Sequence, residues 1–334
     1  MALAVSALSV GNSAAGLMQR FRFGRAIRGS RIDPPPLFIV GHWRTGTTML
    51  HELLALDPQF RCPTTYECMA PGHFLVTGDL VGRHLRPLLP GHRPLDAMRL
   101  GADLPQEDEF AICNLGARSA YHAWAFPRRA AAWEEGLDPH DFAAADREQW
   151  QRALTGFLRA LTIPGPGRLV LKSPPHTARV GLLAEMFPGA GFIHLVRDPR
   201  QMVPSFQVAW RRMAGAVGLQ SRCREDLDDW LVGFGARLYR RFDADRAALG
   251  PGRMADVRYE DLAADPAGEL ARLYGYLGLP HPERVPAVVA AYHTQVGAYT
   301  PAIHHPSPGL RRAISAHWGA YAARYGYRMA GPPA

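Results

Sequence analysis

Four short apolar runs along the chain are each followed by a turn and then by a helical pattern. Leu37-Phe-Ile-Val40 is continuous and apolar, as in a strand buried on both faces of a parallel sheet. Residues 41–46 then read as a turn, and apolar positions 49, 50, 53, 54 and 56 give 47–56 a helical period. Residues 169–171 lead into Lys172, with a helical pattern over 177–187. Residues 192–196 lead into Arg197, with a helical pattern over 200–210. A weaker run at 254–257 precedes Tyr259 and a helix at 267–277. Strands alternating with helices predict an α/β fold with a parallel sheet. Residues 1–32 read as a short helix or arm, closed by Asp33-Pro-Pro-Pro36, and 33–334 as a single domain. Residues 70–165, rich in Pro, His and Arg, carry helical stretches at 107–115 and 141–161. They read as a mostly helical insertion covering the carboxyl edge of the sheet.

Of the 334 residues, 47% are hydrophobic and 20% charged, a globular profile. No run of eighteen apolar residues exists, so no membrane-spanning helix is expected. Residues 1–18 carry no basic residue ahead of their mildly apolar stretch, unlike a secretory signal. Cys62, Cys68, Cys113 and Cys223 are too scattered for a disulfide framework or a metal knuckle, which points to a reducing cytoplasm. The net charge of +8 suits an anionic partner: a nucleotide, a nucleic acid or an acidic lipid. Of 38 basic residues, 37 are arginine and Lys172 is the single lysine. In such a composition Lys172 is a candidate for a site that needs a compact ammonium.

Three places carry candidate chemistry. Gly41-His-Trp-Arg-Thr-Gly46-Thr-Thr48 lies between a strand and a helix, where backbone N–H groups and a helix N-terminus cradle phosphate. Its spacing approaches the Walker loop, but Thr47 stands where a nucleotide kinase needs lysine, and the cation sits earlier, at Arg44. Arg197 ends a strand and Ser205 lies eight residues on, close enough across a strand–helix turn to share one anion. Lys172 follows a strand, at the edge where α/β ligands bind.

Residues 38–48, Phe-Ile-Val-Gly-His-Trp-Arg-Thr-Gly-Thr-Thr, resemble the 5′-phosphosulfate loop of sulfotransferases that use 3′-phosphoadenosine 5′-phosphosulfate (PAPS). The arginine in the loop is similar to the bacterial branch related to tyrosylprotein sulfotransferases. The resemblance implies a P-loop-like fold and in-line transfer of a sulfuryl group to a hydroxyl, leaving adenosine 3′,5′-bisphosphate. It implies that Arg44, Thr45, Gly46, Thr47 and Thr48 hold the 5′-phosphosulfate, and that Arg197 and Ser205 hold the 3′-phosphate. Lys172 would stabilise the departing phosphate oxygen. Glu67, in Arg61-Cys-Pro-Thr-Thr-Tyr-Glu67, would take the acceptor proton, with His176, His122 and His73 as alternative bases or pocket linings. Tyr259, in Val257-Arg-Tyr-Glu-Asp-Leu262, would lie near the adenine or serve as a strand-end core residue. Gln106-Glu-Asp-Glu-Phe110 reads as an exposed acidic helix start, and Glu107 within it would help shape the acceptor pocket. Residues 301–312, with Gly309, Arg311 and Arg312, loosely fit a C-terminal cofactor loop, and the aromatic tail 317–327 reads as packing.

No metal is expected, since arginine, lysine and amides supply the positive charge. Two alternatives remain at this level. One is a phosphotransferase using ATP and magnesium, with Asp198 as metal ligand. The other is a non-enzymatic anion or nucleic-acid binder, which no recognised nucleic-acid motif supports. The acceptor is expected to be a small-molecule or lipid hydroxyl. The basic, aromatic stretch Gln19-Arg-Phe-Arg-Phe-Gly-Arg25 suits a solvated arm, or peripheral contact with an anionic membrane that would bring a lipid or quinol hydroxyl within reach.

Overall fold

The structure is a computed structural model that describes residues 2–78, 101–129, 136–220, 226–296 and 303–329. Five strands, all parallel, form one sheet: β1 (Leu37–Gly41), β2 (Phe60–Arg61), β3 (Arg168–Lys172), β4 (Gly191–Val196) and β5 (Met254–Arg258). Their order is β2-β3-β1-β4-β5, so β1 is central, with β3 and β4 leaving it in opposite directions. Ligands in such sheets bind beyond the carboxyl ends of the strands at that point of reversal. Ile39 of β1 pairs in register with Lys172 of β3 and Ile193 of β4, which sets the lysine at that edge.

The helices are α1 (Ala2–Gly29), α2 (Thr47–Ala55), α3 (Thr65–Met69), α4 (Asp108–Asn114), α5 (His122–Ala125) and α6 (Ala144–Leu161). They continue with α7 (Val180–Met186), α8 (Pro199–Val217), α9 (Leu227–Ala247), α10 (Tyr259–Ala264), α11 (Pro266–Tyr276), α12 (Val285–Val296) and α13 (Pro308–Arg324). Successive strand side chains point to opposite faces, and the two cores follow that period. Phe38, Val40, Leu169, Leu171, Phe192 and Val196 pack in one core with residues of α6, α7, α9 and α13. Leu37, Ile39, Val170, Ile193 and Leu195 pack in the other with residues of α2, α11 and α12. Both faces are covered, which is why the strands read as unbroken apolar runs rather than alternating ones.

The predicted strands and helices at the sheet are all present, with some differences. The N-terminal segment is a 28-residue helix rather than a short one. Residues 177–187 divide into a 3₁₀ turn (Pro174–Arg179) and α7. The two-residue β2 and the 21-residue α9 have no counterpart in the periodicity. α9 carries Gly233 and Gly235 amid residues buried on several faces, which weakens its helical period. Gly235 is there because a Cβ would lie 2.5 Å from His42 Nε2 and from Trp318 Cζ2. Within the stretch 70–165, residues 79–100 and 130–135 lie outside the described residues, while α4, α5 and α6 are seen. Of the anticipated C-terminal loop, residues 301 and 302 lie outside the described residues, and Gly309, Arg311 and Arg312 fall in the first turns of α13.

Candidate active site

The loop between β1 and α2 alternates between ordinary and left-handed backbone. Arg44 has φ 70° and Gly46 φ 90°, an arrangement that turns successive N–H groups toward one concavity. Thr45 fixes the bend, its hydroxyl donating to the His42 carbonyl at 2.7 Å. The loop is tied to the 3₁₀ turn by Thr177, whose hydroxyl accepts from the Gly41 N–H at 2.8 Å and lies 3.1 Å from the Gly41 carbonyl. α2 begins at Thr47 with no side-chain cap, leaving its first-turn amides directed at the same concavity. Beneath the loop, burial drops the pKa of His42 to about 4 despite its hydrogen bond with the Trp43 carbonyl, so this imidazole is neutral at physiological pH.

Residues from three further elements converge on the loop. Arg44 Nε donates to Ser205 Oγ of α8 at 3.0 Å. Arg197, just past β4, donates from Nη1 to the Arg44 carbonyl at 3.1 Å. Its guanidinium lies 4.3 Å from the ring centroid of Tyr259, at the start of α10. The Arg197 backbone is gripped by Tyr321 of α13, which accepts from its N–H at 3.1 Å. His304, in the stretch 301–312 but not singled out there, lies within electrostatic reach of Arg197 and Arg44. Partial burial, then the charges of Arg197, Arg44 and His305, hold its pKa below the usual histidine value. A cavity of about 620 Å³ runs from Arg44, Gly46, Thr48, Arg197 and Tyr259 along α2 toward Met49, Phe60 and Tyr292.

Lys172 is buried at the end of β3. Its Nζ lies 2.5 Å from Glu107 Oε1 and 3.5 Å from Thr48 Oγ1, so the lone lysine meets both a carboxylate and the phosphate loop. The other oxygen of Glu107 accepts from the Tyr121 hydroxyl. Glu107 opens a series of three consecutive acids, each matched to a base on the segment that leaves β3. Asp108 contacts His176 Nε2 at 2.6 Å and accepts from Ser173 Oγ at 2.8 Å. Glu109 accepts from Arg179 Nη1 at 2.5 Å and from Ser119 Oγ at 2.8 Å. The expected exposed acidic helix start is therefore corrected: Asp108 and Glu109 are both fully buried. Burial alone would raise the pKa of Asp108, but His176 and Ser173 outweigh it and hold the group as a carboxylate. The bases at 172, 176 and 179 are spaced i, i+4, i+7, a signal that becomes readable only when set against the three acids.

Other expected site residues have partners of their own. Glu67 is at the third position of α3, closing a capping box: its Oε2 accepts from the Thr64 N–H at 2.8 Å. Its Oε1 accepts from Arg61 Nη2 at 2.6 Å. His176 is fully buried against Asp108 and faces the core. His122 sits on a separate cavity of about 310 Å³ with Arg118 and Arg129. His73 contacts Thr77 Oγ1 at 2.9 Å, and burial lowers its pKa. Asp198 accepts from the Arg200 N–H at 2.8 Å and from its guanidinium at 2.7 Å, capping α8.

Gly46 supplies a local test. A Cβ there would fall 2.3 Å from the Tyr259 ring, in a backbone region that costs an L-residue about 1–2 kcal/mol. If the loop holds the phosphosulfate that the resemblance implies, Gly46→Ala is expected to weaken adenosine 3′,5′-bisphosphate binding by about tenfold or more, read by calorimetry. Unchanged affinity would mean that the Tyr259–loop contact does not shape the pocket.

A family model described as the sulfotransferase family matches residues 35–283. The chain belongs to the sulfotransferase family. The sulfotransferase is 41% identical over 320 residues to omega-hydroxy-beta-dihydromenaquinone-9 sulfotransferase Stf3 of Mycobacterium bovis. The match covers 96% of this chain and 82% of the relative. The protein of the same name from Mycobacterium tuberculosis matches with the same identity and coverage. The fold of this chain is shared with the solved sulfotransferase STF9 of Mycobacterium avium at a TM-score of 0.75 and 20% identity, over 95% of this chain and 83% of that one. STF1 of Mycobacterium tuberculosis follows at 0.61 and 19%, over 90% and 81%. Family membership sets aside the phosphotransferase and non-enzymatic alternatives.

Proposed function

We propose that this sulfotransferase moves a sulfuryl group from PAPS to the hydroxyl of a lipid-like acceptor, with Glu107 taking the acceptor proton. The observation that carries the reading is the meeting of Arg44, Arg197 and Ser205 against the loop concavity while Lys172 reaches Thr48. The donor set suits a ligand with two separate anionic groups. The loop amides, Arg44, Thr45, Gly46, Thr47 and Thr48 would face the 5′-phosphosulfate. Arg197 and Ser205 would hold the 3′-phosphate, with Tyr259 alongside the adenine. The acceptor oxygen–sulfur bond forms as the bond from sulfur to the phosphate oxygen breaks. The electron pair passes to that oxygen, where the Lys172 ammonium meets it, and the acceptor proton passes to Glu107. The lipid character of the acceptor is supported by the 41% identical relatives, named for a hydroxylated dihydromenaquinone.

The test is calorimetric titration with adenosine 3′,5′-bisphosphate beside ATP–magnesium, for the wild type and Arg197→Ala. Bisphosphate is expected to bind in preference to ATP. Loss of one charge-assisted contact, worth about 1.5–3 kcal/mol, would weaken it roughly ten- to hundredfold. Preference for ATP–magnesium, or indifference to Arg197→Ala, would overturn the donor assignment.

A further inference from the structure

Among the described residues, helix α1 meets the rest of the protein along one face. Gly16 lies against the Gly72 carbonyl, Gln19 Oε1 accepts from the Leu75 N–H at 2.9 Å, and Ile27 packs onto the core. Residues 9–14 are exposed on every side. The face turned away carries Val10, Ala14, Leu17 and Phe21 in one row, with Met18 beside it. These are large apolar groups in the open: Val10 is 72%, Leu17 61% and Phe21 94% exposed. Arg20, Arg22, Arg25, Arg28 and Arg31 flank and continue the row, all exposed, and residues 1–32 contain no acidic residue. A helix turn with no packing partner is marginal in water, so this half of α1 calls for a surface to lie on.

We propose that α1 is a membrane-docking helix that lies on an anionic bilayer, its row from Val10 to Phe21 entering the headgroup boundary and its arginines meeting lipid phosphates. Charge selects this occupant, because a surface this uniformly cationic repels a second copy of itself and attracts an acidic leaflet. No helix among the described residues is long and apolar enough to cross a membrane, so the contact is peripheral. The inference rests on the lipid-acceptor reading for its purpose: the enzyme would meet its acceptor where that acceptor dissolves.

The experiment is co-sedimentation of the full chain with vesicles of phosphatidylcholine alone or mixed with phosphatidylglycerol. Expected is binding to the mixed vesicles that weakens with added salt. Leu17→Ser/Phe21→Ser should reduce partitioning at least about tenfold, and Arg20→Gln/Arg22→Gln/Arg25→Gln about a hundredfold at low salt. Both variants should keep wild-type affinity for adenosine 3′,5′-bisphosphate, a readout of folding independent of the membrane. No binding to the mixed vesicles, binding insensitive to both variants, or self-association in sedimentation velocity abolished by Leu17→Ser/Phe21→Ser would overturn the proposal. Turnover of a detergent-dispersed lipid alcohol, scored separately, tells failure of docking from failure of the acceptor assignment.

Discussion

Lys172→Met is expected to slow sulfuryl transfer by roughly 10²–10³ while leaving adenosine 3′,5′-bisphosphate affinity within a few-fold. The magnitude is that of removing one preorganised donor from developing charge, about 2.7–4 kcal/mol. The lysine is buried, and its ammonium sits 2.5 Å from Glu107 and 3.5 Å from the Thr48 hydroxyl, at the junction of donor loop and carboxylate. Methionine keeps the length and apolar stem, so packing against the sheet edge is preserved and the lost quantity is charge. Lys172→Arg should not restore the rate, because a planar fork cannot replace a point charge in a site closed around an ammonium. Single-turnover rates with PAPS and a lipid alcohol measure the effect. A Lys172→Met enzyme that turns over at the wild-type rate would remove the lysine from the chemistry and leave it as the partner of Glu107.

The meeting of the β1–α2 loop with Arg197 and Ser205 was legible in the sequence because its geometry is local. A strand, a glycine turn and a helix are adjacent in the chain, so Arg44, Gly46 and Thr48 can be placed without knowing the fold. Arg197 and Ser205 are likewise fixed by one strand end and the helix behind it. Lys172 was marked by composition, and its register beside Ile39 put it at the predicted edge. The pairing of residues 107–109 with 172, 176 and 179 was not legible, because it depends on contacts across 65 to 70 positions. Three consecutive acids before a helix look solvated until the bases at 172, 176 and 179 are known to face them. Glu67 was marked by the resemblance, and the structure adds a local task for it. Thr64 and Glu67 carry a capping-box spacing, and the carboxylate serves the helix end that the spacing describes. The length of α1 escaped because Ser9, Gly11, Asn12, Ser13 and Gly16 interrupt it, weakening helix propensity without forbidding the helix.

The two glutamates are separated by a paired substitution. Glu107→Gln is expected to lower kcat by roughly 10²–10⁴, the range for loss of a positioned general base. The amide keeps the size of the side chain and can still meet Lys172 and Tyr121, so binding of adenosine 3′,5′-bisphosphate should be unchanged and the loss should fall on the chemical step. Glu67→Gln should behave differently. Glutamine can still accept from the Thr64 N–H at the third helical position, and what is lost is the ion pair with Arg61. Its cost is expected to be about 1.5–3 kcal/mol of stability, because the pair is largely buried, with kcat within a few-fold of wild type. The contrast is sharp because neither substitution changes volume and both remove one negative charge near the cavity. A general field effect would therefore slow both enzymes alike. If Glu67→Gln alone abolished turnover while Glu107→Gln stayed active, the base would lie on α3. The pairing of Glu107 with Lys172 would then be a device for holding the lysine, with its energy entering the ground state and not the proton transfer.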